Sequence, residues 1–260
     1  MLHHVESGAG PDVVLLHAFP VDSTLWAPQR AALAGAGFHV ITPDLPGFGG
    51  SVPSGAAPSL DVMADEVAGL MDVLGVQDAV VGGLSMGGYV AMAMLRRHPG
   101  RVSGLVLADT KATADTPEAA ATREAVARGV ESTGSTTDLA EAMLPNLLGA
   151  TTRAQRPDVT ATVRRWIGAQ PAPAVAWAQR AMAARPDSVA DIGAFGGPVL
   201  ILHGDEDLIS PAADAAVMAE AARAGGSATS VVEIVGAGHL TAVEDPDQVS
   251  RALLGWLMTR

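Results

Sequence analysis

The chain has 260 residues, of which 48% are hydrophobic and 17% charged, a composition typical of a globular protein with one sizeable core. Its formal net charge is −12, and a surface this acidic repels phosphate backbones and anionic lipid headgroups. We therefore expect no nucleic-acid partner and no membrane partner. The sequence contains no cysteine, and we expect neither a metal nor another cofactor.

The N-terminal residues show no basic stretch followed by an apolar run, and no apolar run approaches the ~20 residues of a membrane span. We expect a cytoplasmic protein. Short apolar runs alternate with helical patterns, which predicts an α/β fold with a mostly parallel sheet covered by helices. The runs show little polar alternation, as expected of strands buried on both faces. The predicted strands are residues 13–17, 39–42, 79–83, 102–108, 198–203 and 230–235.

Helices are predicted between these strands. Ser59 has the character of an N-cap before an apolar helical stripe, and residues 86–98 form a second helix directly after the third strand. Ser210 and Asp245 each precede a proline, a pattern typical of a capping residue followed by a first-turn proline. Two further helices are therefore predicted near the end of the chain.

The alternation of strands and helices stops between residues 110 and 195, which are rich in Ala, Thr and Arg and contain no convincing strand. We call residues 110–195 the cap segment, because a helical insertion in such a series is best explained as a cap over the sheet. Residues 1–109 and 196–260 are then expected to form the core.

The strongest chemical motif is Gly83-Leu84-Ser85-Met86-Gly87, which follows a predicted strand and precedes a predicted helix. A tight strand-to-helix turn needs small flanking residues and lifts its serine hydroxyl above the sheet. The helix N-terminus behind the serine favours developing negative charge. We predict that Ser85 is a nucleophile rather than a simple helix cap.

A serine hydroxyl needs an adjacent base, and His239 lies in a glycine-rich loop between the last predicted strand and the last helix. That position suits a residue that reaches over the sheet edge to Ser85. The other histidines weighed for this role are expected to be solvated or structural: His3, His4, His39, His98 and His203.

The base in turn needs a carboxylate that fixes its tautomer. Where a serine on such a turn is the nucleophile, the acid lies between it and the base in the chain. Asp207 is the preferred acid, in a loop after a buried strand, with Asp205 and Glu206 as close rivals. Asp109, directly after the strand 102–108, is a more distant one.

Acyl transfer also needs N–H donors for the oxyanion. The expected donors are the backbone N–H groups of Met86, which follows the nucleophile, and of Phe19, in the loop after the first strand. The Phe19 ring is expected to contribute to substrate binding in the acyl pocket.

Five segments together resemble the α/β-hydrolase superfamily in order and spacing: residues 17–20, 44–51, 83–88, 203–207 and 236–239. The resemblance implies Ser85, Asp207 and His239 as the catalytic triad. The sequence departs from many members at Ala18, where glycine is common. The short cap and residues 107–110 look like the 3-oxoadipate enol-lactonase and small carboxylesterase group. Haloalkane dehalogenases, which use an aspartate where this chain has Ser85, are disfavoured.

This resemblance implies hydrolysis of a carboxylic ester or lactone, a small-molecule substrate, through an acyl-enzyme. The alternatives are a cofactor-free haloperoxidase acting as a perhydrolase on the same triad and a weakly catalytic ligand receptor of the same fold. An anionic lactone would need a cation in the cap, and the candidates are Lys111, Arg123, Arg128, Arg153, Arg164, Arg165 and Arg180. Trp26, Trp166 and Trp177 are candidates to line an apolar pocket, with Trp166 named as a substrate-binding residue.

Overall fold

The computed structural model describes residues 1–259 and contains a seven-stranded sheet with helices against both faces. The strands are β1 (His4–Ser7), β2 (Asp12–Leu16), β3 (His39–Pro43), β4 (Ala79–Leu84), β5 (Val102–Ala108), β6 (Val199–Gly204) and β7 (Thr229–Ile234). Their order in the sheet is β1-β3-β2-β4-β5-β6-β7; β1 runs antiparallel to β3, and the other neighbours are parallel. The predicted mostly parallel α/β fold is confirmed.

The helices follow in chain order. They are α1 (Ala27–Gly35), α2 (Leu60–Leu74), α3 (Met86–Arg97), α4 (Pro117–Thr133), α5 (Thr137–Leu147), α6 (Ala150–Gln155), α7 (Pro157–Ala169), α8 (Ala172–Ala183), α9 (Val189–Phe195), α10 (Ala212–Ala224), α11 (Thr241–Glu244) and α12 (Pro246–Leu257). Within residues 1–259, none of them combines the length and the apolar character that crossing a membrane would need.

Side chains alternate between two apolar clusters, one on each face of the sheet. On β2, Val14 and Leu16 face the cluster that includes α2 and α3, whereas Val13 and Leu15 face the cluster that includes α12. Every residue of β4 and of β6 is buried, as expected of central parallel strands. The carboxyl ends of the parallel strands therefore meet at one well-packed edge of the sheet.

The two edge strands differ from the sequence-based expectation. β1 was not predicted: His4, expected in a solvated segment, opens this four-residue strand, which is too short for a clear periodic signal. β7 was predicted to be buried on both faces, but Val231 is 40% exposed. The reason is its place at the sheet edge, where β6 is its strand neighbour on one side only.

Two of the three predicted helix caps are present. The Ser59 side chain accepts a hydrogen bond from Asp61 N at 3.1 Å, and Asp245 accepts one from Gln248 N at 2.8 Å. Ser210 does not cap α10, which begins at Ala212 without a side-chain cap. Its backbone N–H instead donates to Asp207 at 3.1 Å, so the residue belongs to the loop after β6.

The cap segment holds α4 to α9, between β5 and β6. Within it α4 packs against α8, and α5 packs against α7. The two pairs join different clusters: Val130 of α4 and Val175 of α8 lie in the cluster of α2 and α3, while Leu144 of α5 and Val163 of α7 lie in that of α12. The division of the chain into a core and a cap stays a prediction.

Candidate active site

Ser85 sits on a strained turn at the carboxyl end of β4. Its backbone has φ 54° and ψ −111°, a positive φ that non-glycine residues rarely adopt. Its N–H donates to Ala108 O at 2.9 Å, and the Thr110 hydroxyl donates to Ser85 O at 2.9 Å. Contacts with the end of β5 thus hold the turn in place.

The glycines around Ser85 are required by close backbone approaches. A Cβ on Gly83 would lie 2.0 Å from the carbonyl carbon of Gly87, and a Cβ on Gly87 would lie 2.1 Å from Leu16 O. Real Cβ atoms do not come this close to backbone. The glycine pattern in the sequence therefore reports a real steric requirement of the turn.

A chain of two short contacts links Ser85, His239 and Asp207. His239 Nε2 lies 2.8 Å from Ser85 Oγ, and His239 Nδ1 lies 2.8 Å from Asp207 Oδ2. Because Asp207 can only accept, the matching tautomer carries its proton on Nδ1 and leaves Nε2 free to accept from the Ser85 hydroxyl. Ser85 is 9% exposed and His239 2%, so the arrangement is almost sealed from water.

The loop after β6 separates the three candidate acids. Asp207 Oδ1 accepts from Ile209 N at 2.7 Å, which leaves Oδ2 for the imidazole. Asp205 turns away and accepts from Gly236 N at 2.7 Å. Glu206 binds Thr151 N of α6 at 2.8 Å. The structure brings Asp207, rather than either neighbour, to His239.

Asp109 is a second buried carboxyl group in the same region. It follows β5 with φ 46°, accepts from Gly204 N at 2.9 Å and hydrogen-bonds the Thr241 hydroxyl. Burial raises the pKa of Asp109 well above its usual range, and the nearby charge of Asp207 raises this pKa further. Asp109 thus joins β6 to the start of α11, whereas Asp207 contacts the His239 imidazole.

The two predicted oxyanion donors lie at the start of α3 and in the loop after β2. Met86 is the first residue of α3, where the backbone N–H groups have no acceptor within the helix. Phe19 lies in the loop after β2, is followed by a cis peptide bond to Pro20, and packs edge-on against Phe48 with ring centroids 6.3 Å apart. This ring belongs to the apolar cluster of α2 and α3.

His17, which the search for a base did not weigh, secures the Phe19 loop. Its Nδ1–H donates to Ala18 O at 2.8 Å, and its Nε2 accepts from Leu45 N at 2.9 Å. Both partners fix one neutral tautomer, and burial lowers the pKa of His17 accordingly. A histidine directly after a buried strand was the available signal for this role.

Several of the remaining histidines weighed as bases contact carboxylates. His39 Nδ1 is 2.6 Å from Asp12, His98 Nε2 is 2.8 Å from Asp65, and His203 is buried at the end of β6. Among residues 1–259, no group of three or more His, Asp or Glu side chains is arranged to hold a metal ion.

Most cationic candidates of the cap segment are engaged in ion pairs. The Nε atoms of Arg123 and Arg164 lie 2.5 Å from Asp115 and 2.6 Å from Glu141. Arg180 contacts Glu124 and Glu131, Arg128 lies 4.0 Å from Glu124, and Lys111 lies 3.9 Å from Asp115. Acidic side chains therefore neutralise these cations.

The three candidate tryptophans differ in their surroundings. Trp26 is fully buried, and its Nε1–H donates to Leu16 O at 3.0 Å, so it is a packing residue and does not line a pocket. Trp177 donates to Ala56 O at 3.0 Å. Trp166 is partly buried against the cluster of α12, and its contact with substrate stays a prediction.

Comparisons with known proteins support the same architecture. The family model described as alpha/beta hydrolase fold matches residues 11–246. The solved structure of a thermophilic esterase from Thermogutta terrifontis is similar with a TM-score of 0.94 and 40% identity, over 99% of this chain and 93% of that one. The enol-lactonase from Burkholderia xenovorans LB400 gives a TM-score of 0.88 and 29% identity, over 99% and 96%.

Similarity to curated proteins covers shorter stretches. Bifunctional epoxide hydrolase 2 of Rattus norvegicus is 34% identical over 119 residues, which is 45% of this chain. The match spans 22% of that relative's length. The shared part includes too little of the relative to transfer its activity.

Proposed function

Because this chain belongs to the α/β-hydrolase fold family, we propose that it is a carboxylic ester hydrolase in which Ser85, His239 and Asp207 form the catalytic triad. The observation that carries the proposal is the continuous contact chain from Ser85 Oγ through His239 to Asp207, with both distances 2.8 Å. The position of Ser85 on a strained turn at the start of α3 supports its role as the nucleophile.

In the proposed reaction, Ser85 Oγ attacks the ester carbonyl carbon while His239 Nε2 takes the hydroxyl proton. Asp207 stabilises the imidazolium that forms. The N–H groups of Met86 and Phe19 donate to the oxyanion of the tetrahedral intermediate. His239 then returns the proton to the alkoxide as the carbon–oxygen bond breaks, which releases the alcohol and leaves an acyl-Ser85.

Deacylation repeats these steps with water as the nucleophile. His239 Nε2 removes a proton from the water, the hydroxide adds to the acyl carbon, and His239 protonates Ser85 Oγ as the acid leaves. A protonated imidazole cannot accept in either half-reaction. We therefore expect the rate to fall on acidification.

The charges of the cap segment favour a neutral ester over an anionic substrate. Arg123, Arg164 and Arg180 each have a carboxylate partner within 3 Å. Taking such a partner away to bind a substrate carboxylate would exchange one ion pair for another with little gain. The esterase activity named for the Thermogutta terrifontis relative agrees with this choice.

A lactone is the second candidate substrate. The similarity to the Burkholderia xenovorans enol-lactonase, at 29% identity over nearly the whole of both chains, favours it. An uncharged lactone would use the same acyl-enzyme steps, with the leaving alcohol still attached to the acyl group. The pocket, rather than the triad, would then decide between the substrates.

The test compares wild-type protein with Ser85→Ala on 4-nitrophenyl acetate, a neutral lactone and an anionic enol-lactone, together with peracid formation from acetate and hydrogen peroxide. We expect turnover of the neutral ester by the wild type, and a loss of about 10⁴-fold or more in kcat for Ser85→Ala. Unchanged circular dichroism is the control for folding.

Turnover that persists in Ser85→Ala would rule out this nucleophile. Peracid formation alone would favour a perhydrolase, and ligand binding without turnover a receptor.

A further inference from the structure

Two carboxylates fasten the start of α6 to the loops that carry the proposed acid and base. Glu206, next to Asp207, accepts from Thr151 N at 2.8 Å and from the Thr151 hydroxyl at 2.5 Å. These bonds occupy N–H and hydroxyl groups in the first turn of a cap-segment helix. Glu206 therefore ties the cap segment to the loop after β6.

Glu244 makes a second attachment, but it contacts the His239 loop as well as the cap segment. Its Oε2 accepts from Gly149 N at 2.8 Å, and its Oε1 accepts from Leu240 N, directly after His239, at 3.0 Å. One buried side chain thus joins the residue after His239 to the residue before α6.

The backbones joined by Glu244 are in direct contact. His239 N donates to Leu147 O, at the end of α5, at 3.1 Å. A Cβ on Gly238 would lie 2.3 Å from Gly149 N, and a Cβ on Gly149 would lie 2.8 Å from Gly238 N. We call residues 147–152 the α5–α6 corner. It packs so closely on the His239 loop that a movement of one requires a movement of the other.

Resting on the proposed function, we infer that Glu244 is a positioning residue that sets the place of His239 by holding Leu240 against Gly149 of the α5–α6 corner, on which Gly238 also packs. It does not touch the reacting atoms. Its effect is on the Nε2 to Oγ contact, because misplacement of a catalytic group by about 1 Å can cost about 100-fold in rate. The proposed triad is then aligned only when this corner of the cap segment packs against the His239 loop.

The matched variants are Glu244→Gln and Glu206→Gln. In each, the shape is kept but an NH₂ group replaces one acceptor oxygen. At Glu244 this amide must face an N–H donor of either Leu240 or Gly149, so a contact is lost whichever way it turns. Glu206→Gln makes the same change beside the cap segment but can keep both contacts with Thr151, because its oxygen accepts from Thr151 N and its NH₂ donates to the Thr151 hydroxyl oxygen.

The experiment measures kcat and KM on 4-nitrophenyl acetate, and backbone hydrogen exchange of the peptide covering residues 236–241, for wild type and both variants. For Glu244→Gln we expect kcat to fall about tenfold or more with KM within about twofold, and faster exchange in this peptide. For Glu206→Gln we expect a change in kcat below about threefold and unchanged exchange. A purely structural role of Glu244 would lower the melting temperature without this separation of kcat from KM.

Faster exchange in Glu244→Gln with unchanged kcat would overturn the inference, as would equal losses of kcat in the two variants. If Glu244→Gln does not fold, Gly238→Ala replaces it, since its Cβ would lie 2.3 Å from Gly149 N and 2.8 Å from the Leu148 carbonyl carbon and so push the His239 loop off the corner. The same fall in kcat is expected there, and wild-type kcat would refute the inference. If the wild type turns over no ester, the proposed function fails separately, and unchanged exchange in Glu244→Gln would still refute the positioning role.

Discussion

The sheet edge that carries the proposed triad and the cap segment are stabilised in different ways. At the edge, Ser85, Asp207 and His239 are each at most 9% exposed and are joined by short hydrogen bonds. In the cap segment many polar contacts lie on helix surfaces, such as the pair of Arg164 and Glu141, whose side chains are 46% and 59% exposed. When a buried hydrogen bond loses one partner, the other partner is left unsatisfied. When an exposed hydrogen bond loses one partner, water takes its place.

The cap segment is itself uneven in this respect. The pair of α4 and α8 joins the apolar cluster of α2 and α3 mainly through small and β-branched residues such as Ala127, Val130 and Val175. The α5–α6 corner instead meets the catalytic loops through Glu206 and Glu244. Control of the proposed triad's geometry is therefore expected at the corner, whereas α4 and α8 contribute apolar packing.

The largest effect is expected from Asp207→Asn. An asparagine in this place cannot stabilise the imidazolium and favours the wrong tautomer, so kcat should fall by about 10⁴-fold. Steady-state kinetics on 4-nitrophenyl acetate measures this loss. Asp205→Asn is the control, because Asp205 binds Gly236 N and not the imidazole. A comparable loss in Asp205→Asn would contradict the assignment of the acid.

A smaller effect, on stability rather than rate, is expected from Asp109→Asn. Asparagine can keep both contacts, since its oxygen accepts from Gly204 N and its NH₂ donates to the Thr241 hydroxyl. kcat should therefore stay within about threefold of wild type. A kcat loss as large as that of Asp207→Asn would make Asp109 the catalytic acid instead.

The sign of the stability change at Asp109 follows from its raised pKa. The folded state holds this proton more tightly than the unfolded chain, where an Asp has a pKa near ~3.9, so wild-type stability is lost as pH rises from that value through the raised pKa. Asp109→Asn removes this loss, and its melting temperature should exceed that of wild type by an amount that grows with pH. Each ~1 kcal/mol of added free energy of unfolding should raise the melting temperature by about 2–4 °C. Thermal denaturation of both proteins in buffers from acidic to neutral pH measures this difference in melting temperature. A difference that shrinks with increasing pH would contradict the raised pKa of Asp109.

The smallest effect is expected from Arg164→Ala. The exposed ion pair with Glu141 should contribute at most about 1 kcal/mol, and KM for a neutral ester should stay within about twofold. Arg165→Ala is the matched control, an adjacent arginine whose side chain contacts Thr162 rather than a carboxylate. A KM that rises severalfold for an anionic lactone in Arg164→Ala alone would make Arg164 a substrate-binding residue and weaken the contrast between edge and cap segment.

Much of the sheet edge that carries the proposed triad was predictable, because each of its residues lies beside a signal in the local sequence. Gly83 and Gly87 indicated the tight turn at Ser85, and the glycines before His239 indicated a loop, which the structure shows to be closely packed. The choice of Asp207 over Asp205 and Glu206 was less certain, because adjacent loop residues share one pattern. Their separate partners, Gly236 and Thr151, come from other parts of the chain.

The roles of His17 and Glu244 had no comparable signal, since each depends on contacts distant in sequence. Glu244 lies 95 residues from Gly149, and His17 lies 28 residues from Leu45. By itself the sequence determined the α/β architecture and the chemical types placed after β4, β6 and β7, because apolar periodicity and turn glycines are local properties. The tertiary structure decided which carboxylate meets His239, which histidine stays neutral in the core and how the α5–α6 corner meets the catalytic loops, because hydrogen bonds between distant segments exist only once the sheet has brought the strand ends together.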